Sequence, residues 1–384
     1  MDTIVLHLQQ QLERYLAELT HLSGIDSYSY DRADVNRVVD ELESRFKALN
    51  FEVTRYPHEK AGDNLLAARK GTGRGKILLL GHSDTVFPHG TAAQRPVTIT
   101  GDTILGPGTC DMKAGLLTGL YAIEALDAIG FTAYEEIRFL IVSDEEIDER
   151  FSIPLIRQTS RGNHAVLTLE AARANGDIVT ARKGVRSFTA EAFGRAAHSG
   201  VEPEKGRSAI LALAHHITAL DHLNDYPNGI SVNVGVIQGG RLRNIVPDYA
   251  QIRFELRSYQ PEQLQRYTER ILSIFAQQPV PDVTFKVTFE DVHPPMPRTE
   301  PVAQLEQLTI ALAHQLGFEV KGTSTGGAAD AAFAAAEGVP VLDGLGPIGG
   351  LDHSPDEYIL KSSIVPRTAL LAHLIMAIAK RETT

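Results

Sequence analysis

Three short apolar segments constrain the fold of this chain most strongly, because each ends in side chains that a hydrophobic core would not contain. They run from Lys76 to Leu80, from Ile137 to Val142 and from Ala165 to Leu169. Helical patterns such as Met112 to Ile129 separate them, and this alternation is typical of an α/β domain with a largely buried sheet. We therefore predict an α/β fold in which the three segments are central strands.

The residues that follow these strands indicate a shared site. His82 and Asp84 follow the first strand, the pair Glu145 and Glu146 follows the second, and Glu170 follows the third. Each taken alone has an ordinary explanation, such as a loop pairing or a solvated acidic turn. The carboxyl ends of strands in an α/β sheet open onto the ligand crevice, so we expect these side chains to converge.

Two further segments add ligand-type side chains to this set. Gly106 to Asp111 is a turn-rich loop that places a carboxylate before a helix, and Leu351 to Ser354 contains His353. The single cysteine of the 384 residues, Cys110, excludes an internal disulfide and a cysteine-based zinc site. Imidazole and carboxylate ligands suit zinc, and also manganese or cobalt. We interpret Cys110 as a small buried thiol rather than a nucleophile.

Charge and hydropathy exclude several other classes of protein. The 37 basic and 48 acidic residues give a net charge of −11, which argues against binding to nucleic acid or to an anionic membrane. No segment has the pattern of a signal peptide or approaches the roughly 20 apolar residues of a membrane span. We therefore expect a cytoplasmic protein. A nicotinamide-dependent oxidoreductase is disfavoured because no GxGxxG turn follows the first strand.

The pattern changes after Lys183, where strands and helices follow the order β-α-β-β-α-β of a ferredoxin-like layer. The strands are predicted at Val185 to Phe193, Ser231 to Ile237, Gln251 to Ser258 and Val283 to Glu290, and the helices at Ser208 to Leu223 and Pro261 to Gln278. A proline-rich segment from His293 to Pro297 ends this pattern, and the earlier alternation resumes. We predict a discontinuous domain of residues 1–183 and 295–384, interrupted by an inserted α+β domain of residues 184–294.

The ordered motifs of the chain resemble those of the di-zinc metallopeptidases. This family includes glutamate carboxypeptidase, acetylornithine deacetylase, succinyl-diaminopimelate desuccinylase and aminoacylase, and the resemblance is strongest to the bacterial glutamate carboxypeptidase branch. It covers essentially the whole chain. The motifs are GHSDTV at 81–86, GPGTCDMKAG at 106–115, SDEE at 143–146, HSG at 198–200, RNIVPD at 243–248 and TGGAADAAF at 325–333. The resemblance implies a central mixed β-sheet flanked by helices, and an inserted domain that serves as a dimerisation lid.

The resemblance also implies two zinc ions, for which cobalt or manganese could substitute. Asp111 would bridge the ions, His82 and Glu170 would complete one site, and Glu146 and His353 would complete the other. A shared carboxylate offsets part of the repulsion between two close divalent ions. Asp84 would accept the second imidazole N–H of His82 and so orient the ring. A cis peptide bond between Asp111 and Met112 is a further family feature.

Catalytic roles follow from the same resemblance. Glu145 matches the general base, which takes a proton from the attacking water and returns it to the leaving amine. His198 would stabilise the oxyanion from a partner subunit, which implies a homodimer formed through the inserted domain. Without the resemblance, we would interpret His198 as an ordinary histidine at the end of a strand.

Five residues are candidates for binding the substrate. Arg257 matches the family's anion-binding arginine, although the pattern alone favours a solvated strand residue. Asn244 is a nearby polar contact, and Gly326 and Gly327 could offer backbone N–H groups to the same anion. His293 stands where similar carboxypeptidases commonly carry an arginine ahead of the prolines. We therefore do not expect a strict preference for C-terminal glutamate.

The sequence thus predicts a metal-dependent amidohydrolase acting on small peptides or N-acyl amino acids. Release of a C-terminal amino acid is the first hypothesis, and N-acyl amino acid deacylation is the alternative. A catalytically inactive relative that only binds ligands is a hypothesis of another class. The presence of the base Glu145 together with all five expected metal ligands argues against it.

Overall fold

The computed structural model describes residues 2–147 and 151–380, which form two compact units. The larger unit contains Met1–Thr180, Arg298–Ser324 and Ala329–Thr384, and the inserted unit contains Ala181–Pro297 and Thr325–Ala328. The division into domains at residues 183/184 and 294/295 stays a prediction. Each unit is described by itself below.

Thirteen α-helices and β-strands precede the insertion in the described part of the chain. They are α1 (Thr3–Ser23), α2 (Arg32–Ala48), β1 (Glu52–Tyr56), β2 (Asn64–Lys70), β3 (Lys76–His82), α3 (Thr91–Gln94), β4 (Thr98–Thr100), β5 (Thr103–Leu105), α4 (Ala114–Ala128), β6 (Glu136–Val142), α5 (Ile153–Ser160), β7 (Ala165–Thr168) and β8 (Ile178–Arg182).

The inserted segment and the last part of the chain supply the remaining elements. The insertion contains β9 (Gly184–Phe193), α6 (Ala209–Asp221), β10 (Ser231–Gly239), β11 (Tyr249–Ser258), α7 (Pro261–Phe275) and β12 (Thr284–His293). After it come α8 (Glu300–Gln315), β13 (Gly322–Thr325), α9 (Ala331–Ala335), β14 (Val341–Leu342), β15 (Gly349–Gly350), β16 (Tyr358–Leu360) and α10 (Lys361–Lys380).

The larger unit is built on a six-stranded mixed sheet with the order β1-β2-β6-β3-β7-β14. Strands β6, β3, β7 and β14 run parallel, whereas β1 and β2 pair antiparallel at one side. The three apolar segments of the sequence are β3, β6 and β7, so the predicted α/β class and central strands are confirmed. In β3, the side chains from Ile77 to Leu80 are fully buried, as expected for a sheet covered on both faces.

The register of these strands determines where the polar residues lie. His82 at the end of β3 is paired with Val142, the last residue of β6, and Leu80 is paired with Thr168, the last residue of β7. The residues that follow β6 and β7 therefore emerge at the same edge of the sheet as His82. This edge is the carboxyl edge on which α/β sheets carry their ligand sites.

Helix α4 packs against this edge through small residues. A Cβ atom at Gly115 would lie 1.9 Å from the carbonyl oxygen of Leu169, and one at Gly119 would lie 2.5 Å from the ring of Phe139. Glycine at these positions lets the helix backbone approach the end of β7, the strand that precedes Glu170.

Helix α10 corrects one expectation from the sequence. By length and composition it is long and apolar enough to cross a membrane, although we predicted that no segment would be. However, 67% of its most apolar 18-residue window is buried inside the fold. Residues such as Leu371, Leu374 and Ile375 belong to the hydrophobic core of the larger unit, which explains the apolar composition.

The inserted unit has the predicted ferredoxin-like arrangement. Its four strands form an antiparallel sheet with the order β10-β11-β9-β12, and helices α6 and α7 pack on it. Phe188 and Phe254 stack with their ring centroids 4.8 Å apart in the core beneath the helices. Both β10 and β12 are edge strands of this sheet.

Candidate functional site

The candidate site in the larger unit is centred on Asp111. This residue lies in the turn Thr109–Lys113 between β5 and α4, where Asp111 and Met112 depart from helical backbone angles. The peptide bond between Asp111 and Met112 is cis, as the family resemblance implied. The side chain of Asp111 is therefore presented before the first turn of α4.

One oxygen of Asp111 faces the ends of β3 and β7. The Nε2 atom of His82 lies 2.8 Å from Asp111 Oδ1 and 3.5 Å from Glu170 Oε1. The ring of His82 is fully buried. These three side chains thus form one compact group of nitrogen and oxygen donors, within 4.8 Å of one another.

The other oxygen of Asp111 faces a second group. The Nε2 atom of His353 lies 3.0 Å from Asp111 Oδ2 and 3.0 Å from Glu146 Oε2. His353 has a φ of 62°, in the left-handed region that costs energy for a residue other than glycine. The backbone around this ligand-type side chain is thus held in an unusual conformation.

The donor chemistry fits two divalent cations. Each group combines one imidazole with carboxylates, which is the donor set expected for zinc in the absence of thiolate ligands. In addition, Glu146 Oε1 is buried without a hydrogen-bond partner. An orphaned buried carboxylate oxygen is costly, and a cation would satisfy it.

The pKa shifts report the same excess of buried negative charge. Burial, together with the neighbouring Asp111 carboxylate, raises the pKa of Glu146 to about 7. Hydrogen bonds to Asp111 and Glu146 raise the pKa of His353 to about 11. Burial by itself lowers the pKa of His82, but the carboxylates around it outweigh burial and hold this pKa well above the ordinary value. Bound cations would replace these protons as the compensating charge.

Glu145 and Asp84 lie beside the first group. A carboxylate oxygen of Glu145 lies within 4.8 Å of donor atoms of both His82 and Glu146. The carboxylate of Asp84 accepts the backbone N–H groups of Glu145 at 3.3 Å and Glu146 at 3.2 Å. It also accepts the hydroxyl of Ser29 at 2.7 Å. Asp84 therefore connects the end of β3 to the loop that carries Glu145 and Glu146.

The relation between Asp84 and His82 differs in detail from the prediction. The Nδ1 atom of His82 lies 3.0 Å from the backbone carbonyl oxygen of Asp84 and 3.4 Å from its carboxylate. The hydrogen bond that fixes the ring thus involves mainly the main chain of Asp84. Its carboxylate lies slightly farther from the ring and also holds the loop that carries Glu145 and Glu146.

Glu357 also belongs to the site, although no sequence motif indicates it. This residue is 1% exposed, and its carboxylate accepts the backbone N–H groups of Gly108, Cys110 and Asp111 at 3.2, 2.8 and 3.0 Å. It therefore fixes the loop that carries Asp111. The available signal was a carboxylate four residues after His353, which by itself has no diagnostic spacing.

Cys110 is buried, as predicted. Burial raises the pKa of its thiol, with a further contribution from the nearby Asp352 carboxylate. A thiol held in its protonated form is a poor nucleophile, so the environment of Cys110 agrees with a packing role.

The other predicted site residues lie in the inserted unit. His198 and Asn244 are exposed, and the backbone N–H of Ser199 donates to the carbonyl oxygen of Asn244 at 3.0 Å. The N–H of Gly200 donates to Nδ1 of His198 at 3.2 Å. The segments around His198 and Asn244 are therefore neighbours, joined in an antiparallel bridge between His198 and Ile245.

Arg257 is brought together with Gly326 but is already engaged. Its guanidinium donates to both carboxylate oxygens of Glu255, at 2.8 and 3.0 Å, and to the carbonyl oxygen of Gly326 at 2.9 Å. A carboxylate ligand of Arg257 would therefore compete with Glu255. The carbonyl oxygen of Gly327 accepts from Arg182 at 3.1 Å, so this loop presents acceptors to two arginines.

His293 is the last residue of β12, paired with Val185 on β9, and it is 8% exposed. The side chain is therefore largely withdrawn from solvent within the inserted unit. Its predicted role in substrate binding stays a prediction.

Comparison with known proteins identifies the family. Residues 78–377 match the model of peptidase family M20/M25/M40. The chain belongs to this family. The match covers most of the chain and reaches all three segments of the larger unit, so the resemblance drawn from the motifs is confirmed. Membership makes the chain a metal-dependent peptidase or amidohydrolase.

Individual proteins and solved structures are similar to this chain over most of its length. Carboxypeptidase G2 of Pseudomonas sp. (strain RS-16) is 29% identical over 366 residues, covering 93% of this chain and 88% of that protein. Acetylornithine deacetylase of Myxococcus xanthus is 30% identical, covering 66% and 70% of the two chains. The crystal structure of aminopeptidase PepT from Bacillus cereus ATCC 10987 has a TM-score of 0.83 at 25% identity, covering 96% and 99%.

Proposed function

We propose that the protein is a carboxypeptidase that releases a C-terminal amino acid from a small peptide. The observation that carries this proposal is the position of Asp111, whose two oxygens each face a separate imidazole and carboxylate. We propose that the two groups hold two zinc ions bridged by Asp111. When bound, the ions would lower the pKa of a water molecule and polarise the scissile carbonyl group.

The chain's own residues supply the proton transfers and the orientation. Glu145 removes the proton of the attacking water and delivers it to the leaving nitrogen. Asp84 fixes the position of Glu145, because its carboxylate accepts the N–H groups of Glu145 and Glu146. No protein nucleophile is required, in agreement with the buried thiol of Cys110.

Substrate recognition is assigned to the inserted unit. Arg257 would bind the α-carboxylate of the substrate with its planar guanidinium, in place of Glu255, with Asn244 and the Gly326–Gly327 loop as further contacts. His198 would stabilise the oxyanion in the active site of a partner subunit. The proposed homodimer is supported by the exposed apolar residues of the inserted unit, which include Leu211, Ile237 and Leu242.

Deacylation of N-acyl amino acids is the second candidate, because acetylornithine deacetylase is among the similar proteins. Both reactions break an amide bond next to an amino acid that carries a free carboxylate. A hydrolysis screen that pairs dipeptides with N-acetyl and N-benzoyl derivatives of the same C-terminal residues separates the two.

The variant Glu145→Gln tests the proposed mechanism. It removes the base but not a predicted metal ligand, so we expect unchanged metal content and a loss of hydrolysis of at least about 100-fold. The matched control is Glu59→Gln, the same chemical change at an exposed position. Unchanged turnover in Glu145→Gln would refute the assignment of the base, whether or not the metal content is retained.

A further inference from the structure

A cavity of about 260 Å³ lies beside the candidate metal site in the larger unit. Asp111 and Glu170 line it together with Arg173, Gly349 and Gly350. Two predicted metal ligands and a cationic side chain thus border the same space. The volume is sufficient for a short side chain or acyl group of several non-hydrogen atoms.

The backbone around this cavity is firmly held. Arg173 begins a tight turn, in which its carbonyl oxygen accepts the N–H of Gly176 at 2.7 Å and its backbone N–H donates to the carbonyl oxygen of Asp177 at 3.1 Å. The buried Arg367 donates to the carbonyl oxygens of Gly176, Gly344 and Gly346. The position of the Arg173 backbone is therefore fixed, which limits the space that its side chain can reach.

The guanidinium of Arg173 is unpaired among the described residues. Within residues 2–147 and 151–380, it makes no hydrogen bond or ion pair, and its Nε atom is withdrawn from solvent without a partner. Leaving a buried donor of a charged group unsatisfied costs free energy. By contrast, Arg257 is occupied by Glu255 and Arg182 by the carbonyl oxygen of Gly327.

The carboxylates that line the cavity do not satisfy this cation. Asp111 faces His82 and His353, and Glu170 faces His82, so both are directed to the proposed metal ions. Asp352 contacts the thiol of Cys110. No carboxylate that lines this cavity in the described part of the chain therefore pairs with Arg173.

We propose that Arg173 and this cavity form a subsite for a second carboxylate of the substrate, in addition to the α-carboxylate assigned to Arg257. A carboxylate is the anionic group common to peptides and N-acyl amino acids, and it matches the guanidinium fork. It has two sources: the acyl group, as in a succinyl derivative, or the side chain of the released residue, as in glutamate. This inference rests on the proposed function for the substrate class.

The two sources are distinguished with two pairs of isosteric ligands. N-succinyl-alanine and its succinamoyl analogue differ only in a carboxylate on the acyl side, and N-acetyl-glutamate and N-acetyl-glutamine differ only in the side chain. Dissociation constants are measured by calorimetry on metal-loaded Glu145→Gln protein, which is expected to bind without hydrolysis. We expect the acid to bind about 10- to 100-fold more tightly than the amide in one pair.

Adding Arg173→Gln should abolish that preference while the affinity for the amide stays the same. Arg173→Lys should retain part of it, because the charge remains but the fork is lost. The control Arg74→Gln removes one positive charge before the amino end of β3, at the opposite edge of the sheet, and should change neither ratio. Metal content should be equal in all variants.

Two results would overturn the subsite: an acid-to-amide ratio that Arg173→Gln leaves unchanged in both pairs, or no binding of either acid. These results are independent of the proposed function, which fails if the wild-type protein hydrolyses no peptide or N-acyl amino acid. Because binding is measured on a variant that does not turn over, failure of one proposal does not hide failure of the other.

Discussion

Glu357 accepts the backbone N–H of Asp111 at 3.0 Å, and its carboxylate is buried beneath the residue that we propose as the metal bridge. Glu357 lies four residues after His353, whose Nε2 atom is 3.0 Å from the side-chain oxygen Oδ2 of Asp111. A single short segment thus holds both the backbone and the side chain of Asp111. The geometry of the candidate site therefore depends on a residue that contacts none of the expected substrate groups.

Glu357→Gln should weaken both the fold and metal binding. The amide retains one acceptor oxygen, but its NH₂ group would face a backbone N–H, so at least one buried donor loses its partner at a cost of about 1–3 kcal/mol. We expect a lower free energy of unfolding in urea and about 10-fold weaker metal binding in a chelator competition. Exposed Glu59→Gln serves as the control. A Glu357→Gln protein that matches the wild type in both measurements would show that the loop is held in another way.

Asp84→Asn tests whether the Asp84 carboxylate positions the catalytic loop. Asparagine has one acceptor oxygen, whereas the carboxylate receives N–H groups from both Glu145 and Glu146. We expect a decrease of about 10- to 100-fold in the rate of hydrolysis. The milder variant Ser29→Ala removes only the hydroxyl that donates to Asp84 and should cost less. Equal effects of the two variants would contradict a direct role of Asp84 in holding Glu145.

Metal stoichiometry tests the bridging role of Asp111. Glu170→Gln and Glu146→Gln each alter one of the two donor groups, so each should weaken the binding of one ion per chain. Asp111→Asn alters both groups and should weaken both ions. The measurement is a calorimetric titration of chelator-stripped protein with zinc. If Asp111→Asn affects one ion only, the two groups do not share this carboxylate.

Thermal unfolding provides an independent readout of the same site. Ions that bind only the folded state stabilise it by RT ln(1 + [M]/Kd), which is about 2.7 kcal/mol at 100 times the dissociation constant. The melting temperature of stripped protein should therefore rise with zinc concentration. The rise should be smaller in Asp111→Asn than in either single-site variant. A melting temperature independent of added metal in the wild type would contradict a structural link between ions and fold.

Much of the larger unit could be predicted from the sequence, because the determining signals are local. The apolar segments become β3, β6 and β7, and the rule that strand ends share an edge brings His82, Glu146 and Glu170 together. Hydrophobic segments that end in polar residues indicate both the strands and the edge of the sheet where the site lies, even when the pairing register of the strands is unknown. The structure adds the pairing of His82 with Val142.

Other features depend on contacts that leave no local signal. Glu357 binds backbone N–H groups, which every residue carries, so nothing in its neighbours reveals the interaction. Asp84 was expected to orient His82 through its carboxylate, which lies 3.4 Å from Nδ1, but its backbone carbonyl oxygen is nearer, at 3.0 Å. The same carboxylate also accepts the N–H groups of the loop that carries Glu145 and Glu146, a role that the sequence does not reveal. By contrast, the ion pair between Glu255 and Arg257 could have been predicted from the sequence. Alternate residues of a strand point to the same face, so opposite charges at this spacing can pair.

Subunit complementation tests the proposed role of His198. In a homodimer whose sites take His198 from the partner subunit, His198→Ala and Glu145→Gln proteins are each inactive alone. A random mixture of subunits contains heterodimers with one intact site, so we expect recovery of about one quarter of wild-type activity. The mixture is dissociated, recombined and assayed at constant total protein. No recovery, with mixed dimers verified by mass, would place His198 in the site of its own chain or outside catalysis.

His216 predicts a pH dependence of stability in the inserted unit. The residue is 3% exposed, lies between Phe275 and Phe285 at ring distances of 4.7 and 4.5 Å, and has no partner for Nε2. Burial lowers its pKa from 6.5 to about 4, with a smaller contribution from His215. Because the folded-state pKa is depressed, the unfolded state binds the proton first as the pH falls. The associated stability is present above pH 6.5 and is lost between about pH 6.5 and 4.

The loss amounts to about 3 kcal/mol of unfolding free energy, since one pKa unit corresponds to about 1.4 kcal/mol. His216→Leu places an apolar side chain of similar size between the two phenylalanines and removes the titratable imidazole. Its free energy of unfolding in urea should therefore fall less steeply than that of the wild type between pH 7 and pH 4.5. The control His222→Gln removes an exposed histidine and should retain the wild-type slope. Parallel pH profiles for His216→Leu and the wild type would mean that the imidazole is protonated without penalty in the folded protein, and that its position among the aromatic rings does not control acid stability.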